Sequence, residues 1–589
     1  MNLDRCKGPV GLAVALLAVL LAVACTSQPA SEKSAVPAAS QADTAFTRLA
    51  AEYLDDYYRR QPTRATFDGI HTYDDRLEDY SRDAVASAVA SAKDFRQRVA
   101  ATDVAALSAS DQLDREQLLR AIDSRLLTLE VIRPWMTDPD MYSSGLTTSA
   151  YIMIKRRFAP PDARMRLLIA REKAMPAALE EAKKNLENPP RIYTEIALEQ
   201  IDGNRDFFQT AVTAAFPEVT DKALLAEFKQ ANNAVVAAFG AYKTWLQDNL
   251  LKRSNGNFAF GEETYRRKLA ADEMIDTPLE DLLKVAEADL RKNQAAFADT
   301  ARRIDPRKTP AQILAQLETE HPAPGKLLST AENELESLRR FMIEKRIVTI
   351  PDAPPVTVQE TPPFMRATTT ASMDIPGPFE KTATEVYYRM TLPDPAWPPR
   401  QVQEFMRGWY YALITNVSVH EVWPGHYLQF LYAKHFPSDI RKVFGAASNS
   451  EGWAHYCEQM VIDEGFHADD LRYRLAQIQD ALLRNVRFIV GIRMHTMGMT
   501  VPQAVDMFIK EAYQPPPVAR AESKRGTSDA IYGYYTMGKL MILKLRDDYK
   551  VKTGASYTLQ NFHDTFIGLG PLPLPLMRNA MLGDIGRLF

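Results

Sequence analysis

Apolar residues recur along much of the chain with the spacing of amphipathic α-helices. One stripe begins at Phe46 and continues at intervals of three and four residues, which place side chains on one face of a helix. A second long amphipathic run covers residues 221–253. We therefore expect the chain to be dominated by helices. The members of the first stripe are Phe46, Leu49, Ala50, Tyr53, Leu54 and Tyr57.

Helix start signals recur between residues 277 and 332. Residues 277–280 and 309–312 each combine a threonine, a proline at the next position and a Glu or Gln three residues on. That order is typical of a capping box with proline at the first helical position. Residues 329–332 repeat the hydroxyl and the carboxylate without the proline. We expect a helix to begin at each of these segments.

Residues 381–392 depart from the helical pattern, because β-branched and aromatic residues alternate there with other types until Pro393 closes the run. This alternation favours a short strand or hairpin. The proline-rich residues 351–363 come before it and are expected to thread between the halves of the protein. The predicted fold is mostly α: a large helical body around a deep cleft, with a small β element beside the candidate site.

The helical body is expected to span residues 46–589. It forms either one continuous two-lobed body or an N-terminal lobe of residues 46–255 with a catalytic lobe of residues 256–589.

Residues 1–24 are typical of a lipoprotein signal peptide. Two basic residues precede an apolar run that is too short for a typical membrane span. The run ends in small residues directly before Cys25, as in a bacterial lipobox, whose cysteine is lipidated. Residues 25–45 are rich in Ser, Ala and Pro and are predicted to be a flexible tether. We expect a lipid-anchored envelope protein that faces the periplasm, with the outer membrane favoured because Thr26, and not an aspartate, follows the anchor.

Cysteine content and charge narrow the class of protein. Cys6 lies in the signal and Cys25 would carry lipid, so Cys457 is the remaining thiol and no internal disulfide is expected. The formal net charge is −4, and no long basic run is present. Nucleic acid is therefore excluded as an expected partner.

Candidate chemistry is concentrated between residues 420 and 495, which contain six of the nine histidines. His426 follows His420 at i+6. Histidines at i and i+4 share one helix face, whereas i+6 points about 240° away on an ideal helix. Pro424 and Gly425 lie between the two imidazoles. An unwound turn at this pair would return His426 to the side of His420.

A carboxylate completes a candidate zinc site. Two imidazoles and the carboxylate of Glu451 can fill three positions of a tetrahedral zinc and leave the fourth for water. Glu421, next to the first imidazole, is expected to be the general base. The alternative is that His420 and His426 are unrelated surface or core residues and that Glu421 forms a surface ion pair.

These segments resemble the domain-of-unknown-function 885 family, bacterial proteins similar to zinc peptidases of the gluzincin type. The pattern His-Glu-x-x-Pro-Gly-His-x-x-Gln is matched over residues 420–429, and Glu-Gly-Trp-Ala-x-Tyr-x-Glu over residues 451–458. The resemblance is strong over residues 361–545 and fainter back to residue 46. It implies Zn²⁺ as the cofactor. The ligands that it implies are His420, His426 and Glu451.

Two more side chains share a helix face with Glu451 if that segment is helical. His455 stands where the family is usually apolar, so packing or support of a ligand is favoured over metal ligation. Glu458 would either orient a ligating histidine or remain a solvated charge.

Peptide hydrolysis also requires a donor for the oxyanion. Tyr535 is the first candidate, with Tyr532 and His495 behind it, and the alternative for each tyrosine is an ordinary place in the core. Arg525 and Lys539 are candidates to bind a substrate carboxylate, which would suit an exopeptidase.

The functional hypothesis is a zinc-dependent metallopeptidase that hydrolyses oligopeptides in the cell envelope. The strand near residues 385–392 is expected to offer an edge on which a substrate lies extended. Two alternatives remain open: a catalytically silent peptide-binding lipoprotein, and a zinc amidohydrolase acting on a non-peptide amide. The pattern does not choose between endo- and exopeptidase action.

Overall fold

The computed structural model describes residues 41–362, 365–366 and 369–589. Most of these residues are in helices, so the predicted mostly α fold is confirmed. The predicted signal peptide, Cys25 and most of the tether lie outside the described residues. The helices of the first half are α1 (Gln41–Arg60), α2 (Pro62–Asp68), α3 (Arg82–Ala100), α4 (Ala109–Leu127), α5 (Pro134–Thr137), α6 (Asp140–Lys155), α7 (Pro161–Asn185), α8 (Arg191–Gln209), α9 (Lys222–Trp245), α10 (Gly261–Glu273), α11 (Leu279–Ile304), α12 (Pro310–Leu317) and α13 (Leu327–Glu344).

The first predicted apolar stripe lies on α1, where Phe46 and Tyr53 are buried. The helix begins at Gln41, ahead of the end predicted for the tether. The Asp43 carboxylate accepts a hydrogen bond of 2.8 Å from the Ser108 backbone N–H. This bond ties the first turn of α1 to the loop before α4. The last residues of the predicted tether, from Gln41 onward, are therefore part of a helix that contacts the rest of the protein.

The capping box predicted at residues 309–312 is present at the start of α12. The Thr309 hydroxyl accepts a hydrogen bond from the backbone N–H of Gln312, whose side chain accepts one from the Thr309 N–H. At α11 the prediction is wrong by one residue, because Pro278 and not Thr277 holds the N-cap position. Proline has no side-chain acceptor, and no side-chain hydrogen bond caps this helix.

Two other helical segments differ from the prediction in their limits. α13 is already formed at Ser329, because a 3₁₀ turn at Pro324–Lys326 leads directly into it. The run at residues 221–253 begins as α9 and continues as a π-helical turn at Leu246–Leu250 and a 3₁₀ turn at Leu251–Arg253. Both segments are helical as predicted, and only the boundaries and the turn types differ.

One three-stranded sheet forms the β element of the described residues. Its strands are β1 (Val356–Glu360), β2 (Ala371–Asp374) and β3 (Val386–Met390). β3 lies in the centre, parallel to β1 and antiparallel to β2. The strand predicted within residues 381–392 is confirmed as β3, but the expectation that it offers a free edge is wrong because both of its sides are paired. β2 is an edge strand, and β1 occupies the proline-rich segment.

The second half of the chain supplies the remaining helices. They are α14 (Pro399–Met406), α15 (Tyr411–Glu421), α16 (His426–Ala433), α17 (Asp439–Val443), α18 (Ala447–Asp463), α19 (Leu471–Thr496), α20 (Val501–Ala512), α21 (Pro516–Ser528), α22 (Tyr534–Thr553), α23 (Leu559–Gly568) and α24 (Leu574–Leu582).

α18 and α22 pack at very short distance where two glycines meet. A Cβ on Gly538 would lie 1.9 Å from the Ser448 carbonyl oxygen, and a Cβ on Gly452 would lie 2.4 Å from Cα of Gly538. Any larger residue at either position would force the helices apart. The contact holds the N-terminal part of α22 beside the N-terminal part of α18.

Buried apolar residues form clusters that join distant parts of the chain. The largest lies within residues 265–581, a second within residues 142–250, and a third connects residues 46–122 to Ile440 and Val443 of α17. The described residues make up one compact unit, and the division near residue 255 stays a prediction. Of the helices in the described part of the chain, none has the length and apolar character needed to cross a membrane.

Candidate metal centre

The chain between His420 and His426 leaves one helix and enters another within a few residues. α15 ends at Glu421, and the Gly425 N–H donates back to the Val419 carbonyl at 3.0 Å. His426 is the first residue of α16. The two imidazole rings consequently lie 4.8 Å apart, centroid to centroid, and nearly perpendicular. The structure therefore shows His426 beside His420, as predicted from the intervening Pro-Gly pair.

Glycine is required in this turn. A Cβ on Gly425 would lie 1.8 Å from the His420 carbonyl oxygen, a separation that no side chain tolerates. The peptide bond between Trp423 and Pro424 is cis. The Pro424 carbonyl accepts a hydrogen bond of 2.8 Å from the indole N–H of Trp453, which fixes the turn to α18.

Glu451, in the second turn of α18, faces both imidazoles. Its Oε2 atom lies 3.3 Å from Nε2 of His420 and 3.3 Å from Nε2 of His426. The three ligand atoms all lie within 4.8 Å of one another. Zinc held tetrahedrally at about 2.0–2.1 Å separates neighbouring ligand atoms by about 3.3–3.4 Å. The buried Oε2 atom makes no hydrogen bond of acceptable geometry to a described residue. The donor set and its spacing therefore fit a zinc ion.

Glu458 orients the first imidazole from behind. His420 donates from Nδ1 to Oε1 of Glu458 at 2.6 Å, so that Nε2 is the ring nitrogen that faces Glu451. Arg484 lies 2.9 Å from the same oxygen, and His455 donates to the other oxygen at 3.0 Å. Glu458 is buried, so of its two predicted alternatives the structure shows the orienting role. His455 supports that carboxylate and is not among the converging ligand atoms.

Electrostatics in the cluster keep the carboxylates ionised. Burial alone would raise the pKa of Glu451, but His426 and His420 hold it well below its usual range. Burial would lower the pKa of His420, but the carboxylates of Glu451 and Glu458 raise it to about 10. In the absence of a metal, a proton on His420 therefore supplies the positive charge that the carboxylates require.

Glu421, the last residue of α15, contacts the sheet. Its Oε2 atom accepts a hydrogen bond of 3.1 Å from the backbone N–H of Met373 in β2. The bond holds one carboxylate oxygen against the strand. Glu421 is only partly buried, unlike His420 before it in the chain. The predicted base is thus held by the edge strand, through a contact between residues 48 positions apart that no local sequence pattern signals.

Tyr535 is the oxyanion candidate that the structure brings to the triad. Its ring centroid lies 6.2 Å from that of His420. His495 is not brought there: it contacts Gly526, whose carbonyl accepts its Nε2–H at 2.8 Å, and the ring of Phe260. Tyr532 is fully buried against Gly526. The expected oxyanion roles of His495 and Tyr532 are therefore corrected to structural ones.

The two cations proposed for a substrate carboxylate differ in position. Lys539 is buried and lies 3.7 Å from the Asp289 carboxylate, so it is corrected to a core ion pair. Arg525 is over a third exposed and lies 3.4 Å from the Tyr535 hydroxyl. Sequence reasoning missed Arg484, because its spacing of four from Asp480 signals only a local ion pair and not its contact with Glu458.

Comparisons with known proteins agree with the fold. The model of a family described as bacterial protein of unknown function, DUF885, matches residues 62–581. A solved structure from Shewanella oneidensis, described as a candidate lipoprotein of unknown function, superimposes with a TM-score of 0.77 at 26% identity, covering 91% of this chain and 99% of that one. A candidate lipoprotein from Colwellia psychrerythraea gives a TM-score of 0.78 at 16% identity, covering 92% and 99%. A comparison with functionally curated proteins gives no match.

Proposed function

The chain belongs to the DUF885 family, and we propose that this member is a zinc-dependent metallopeptidase that hydrolyses oligopeptides in the cell envelope. The observation that carries the proposal is the convergence of the ligand atoms of His420, His426 and Glu451 on one point. A second carboxylate, Glu421, follows His420 directly in the chain. Similarity to a protein described as a lipoprotein supports a lipid anchor, which we place at Cys25. The proposed position on the outer membrane, facing the periplasm, rests on Thr26 after that cysteine.

Each residue then has a defined task. Zinc, when bound by His420, His426 and Glu451, supplies a Lewis acid that polarises the scissile carbonyl and lowers the pKa of water towards about 7. Glu421 takes the proton of the attacking water and delivers it to the amine nitrogen as the C–N bond breaks. The Met373 N–H holds one oxygen of Glu421, so the other is directed to the water. The Tyr535 hydroxyl donates to the developing oxyanion.

The edge strand β2 is the surface on which the substrate would lie. Thr391 donates to the Thr370 carbonyl at 2.8 Å, so by antiparallel alternation Ser372 pairs inward and Met373 faces the free edge. The Met373 N–H is also the group that binds Glu421. An extended peptide lying along this edge would pass beside the base. Because the Met373 N–H is bound by Glu421, the peptide backbone would pair with the other outward-facing backbone groups of β2. We therefore expect the enzyme to accept substrates with many different side chains.

Metal content tests the proposed ligands. We expect about one zinc per chain after purification in zinc-supplemented buffer, and loss of that zinc in His420→Ala and in Glu451→Gln. His435 is exposed and absent from the converging group, so His435→Ala is the matched control and should retain zinc. Elemental analysis of the folded variants measures this. A wild-type protein without stoichiometric metal would contradict the proposal.

Turnover tests the base. Glu421→Gln should keep zinc and peptide binding but lose cleavage of a mixed peptide pool by about a thousandfold or more. Mass spectrometry of the products measures the loss. Equal inertness of wild type and variant towards peptides would favour the silent binding lipoprotein, and cleavage confined to non-peptide amides would favour the amidohydrolase.

A further inference from the structure

Three guanidinium groups surround the ring of Tyr535, beside the candidate metal centre. The Cζ atoms of Arg487, Arg484 and Arg525 lie 5.0, 5.5 and 5.9 Å from the ring centroid. Arg487 is bound by both oxygens of Glu522, and Arg484 is committed to Glu458. Both side chains are about a tenth exposed, whereas that of Arg525 is 37% exposed. Arg525 is therefore the member of this group that a ligand can reach.

Asp529 and Tyr534 fix the orientation of Arg525. Asp529 Oδ2 accepts hydrogen bonds from Nε at 3.2 Å and from Nη2 at 3.0 Å. Nη2 also donates to the Tyr534 hydroxyl at 3.0 Å. Within the described chain Nη1 has no hydrogen-bond partner, so its two hydrogens are available. A guanidinium held on one side and free on the other is a preorganised donor for an anion.

The distance from the metal centre sets the reach of such a contact. Tyr535 is close to both His420 and Arg525: its ring centroid lies 6.2 Å from that of His420 and 5.9 Å from the Arg525 Cζ atom. The distance from the His420 ring to the Arg525 Cζ atom therefore cannot exceed about 12 Å. An extended chain spans about 3.3–3.6 Å per residue. A carboxylate one or two residues beyond the scissile bond falls within this range.

We propose that Arg525 binds the C-terminal carboxylate of the peptide substrate and that the enzyme is a carboxypeptidase removing one or two residues at a time. This inference rests on the proposed peptidase function. A free carboxylate is the anion that every unmodified peptide carries at a constant place, whatever its side chains. Recognition through backbone pairing on β2 and through the terminal carboxylate therefore combines broad sequence tolerance with a defined cleavage position.

Matched peptides test the proposal. We expect kcat/KM for a free-acid peptide to exceed that of its C-terminal amide by about 10- to 100-fold, with fragments of one or two residues released from the C-terminus. Arg525→Ala should remove this preference by slowing cleavage of the acid alone, and Arg525→Lys should restore part of it. Lys524 directly precedes Arg525 in α21, is similarly exposed and pairs with Glu199, so Lys524→Ala is the matched control and should behave as wild type.

A binding measurement separates this inference from the proposed function. Glu421→Gln protein, titrated with the same two peptides, should bind the acid more tightly than the amide by a similar factor, and addition of Arg525→Ala should abolish the difference. Preferential binding of the acid without any wild-type turnover would leave the carboxylate site standing and overturn the peptidase. Turnover with equal rates for acid and amide, or internal cleavage first, would overturn the carboxylate site and leave the peptidase standing. A preference that follows acidic side chains instead would also overturn it.

Discussion

Two buried carboxylates in different halves of the molecule have pKa values shifted in opposite directions. Glu458, near the candidate metal centre, and Glu172, on α7, are 1% and 0% exposed. Glu458 contacts Arg484 at 2.9 Å and two imidazoles, and these partners hold its pKa well below the usual range. The partner of Glu172 is the Asn232 amide at 3.1 Å, and burial raises its pKa to about 8.

The difference shows that burial does not by itself decide whether a carboxylate is charged. Loss of hydration favours the neutral acid at both positions, and only partners that carry positive charge reverse that preference. A neutral amide reduces the penalty at Glu172 without removing it. The charged state of Glu458 is therefore a property of the site built around it, and it is what gives His420 a fixed hydrogen-bond acceptor.

The largest expected effect comes from removing Glu458. Glu458→Ala should lower the free energy of unfolding by about 3–5 kcal/mol, because Arg484 stays buried and Asp480 is its one remaining counter-ion among the described residues. Chemical denaturation at pH 7 measures the change. Glu464→Ala, an exposed carboxylate just beyond the same helix, is the control and should change little. Unaltered stability of Glu458→Ala would show that the network around Arg484 does not need the charge.

The second effect is the pH dependence caused by Glu172. Its pKa is raised on folding from 4.5 to about 8, so the acid form is favoured in the fold and stability is lost as pH rises from about 5 to 8. Within that window the free energy of unfolding falls by about 1.4 kcal/mol for each pH unit, because the folded state binds one more proton than the unfolded state. The total loss by pH 7 is about 3 kcal/mol. Glu172→Gln cannot ionise and should remove this component.

Denaturation of wild type and Glu172→Gln at pH 5, 7 and 8.5 measures that component. The stability difference between the two proteins should grow with pH in favour of the variant. Glu180→Gln, an exposed position on the same helix that pairs with Lys183, should leave the pH profile of wild type unchanged. A difference that is constant with pH would show that Glu172 does not titrate in this range.

The smallest expected effect is the pH dependence of zinc binding at the candidate metal centre. Because the pKa of metal-free His420 is raised to about 10, zinc must displace its proton at neutral pH. The apparent zinc affinity should therefore rise by about tenfold per pH unit for one displaced proton. Competition with a chromogenic chelator between pH 6 and 8 measures the slope. Glu458→Gln should flatten it, because the carboxylate that stabilises the protonated imidazole is gone.

Local signals were enough to predict the fold class. The apolar stripe starting at Phe46, the capping box at Thr309 and the alternation around β3 each involve residues a few positions apart, and each is confirmed. The prediction was wrong where a distant contact intervenes. Pairing with β1 and β2 made β3 a central strand, and the Gly526 carbonyl engages His495 away from the triad.

The types of candidate ligand could also be predicted from the sequence, because two imidazoles and a carboxylate are a common zinc-binding set. Their convergence was decided by tertiary structure. The bond from Trp453 to Pro424 holds the turn that returns His426, and the close contact of Gly452 with Gly538 sets α18 and α22 at the distance that the site requires. The physical reason is range: helix periodicity and capping act over one or two turns, whereas the position of a side chain relative to a distant helix depends on packing among residues far apart in the chain.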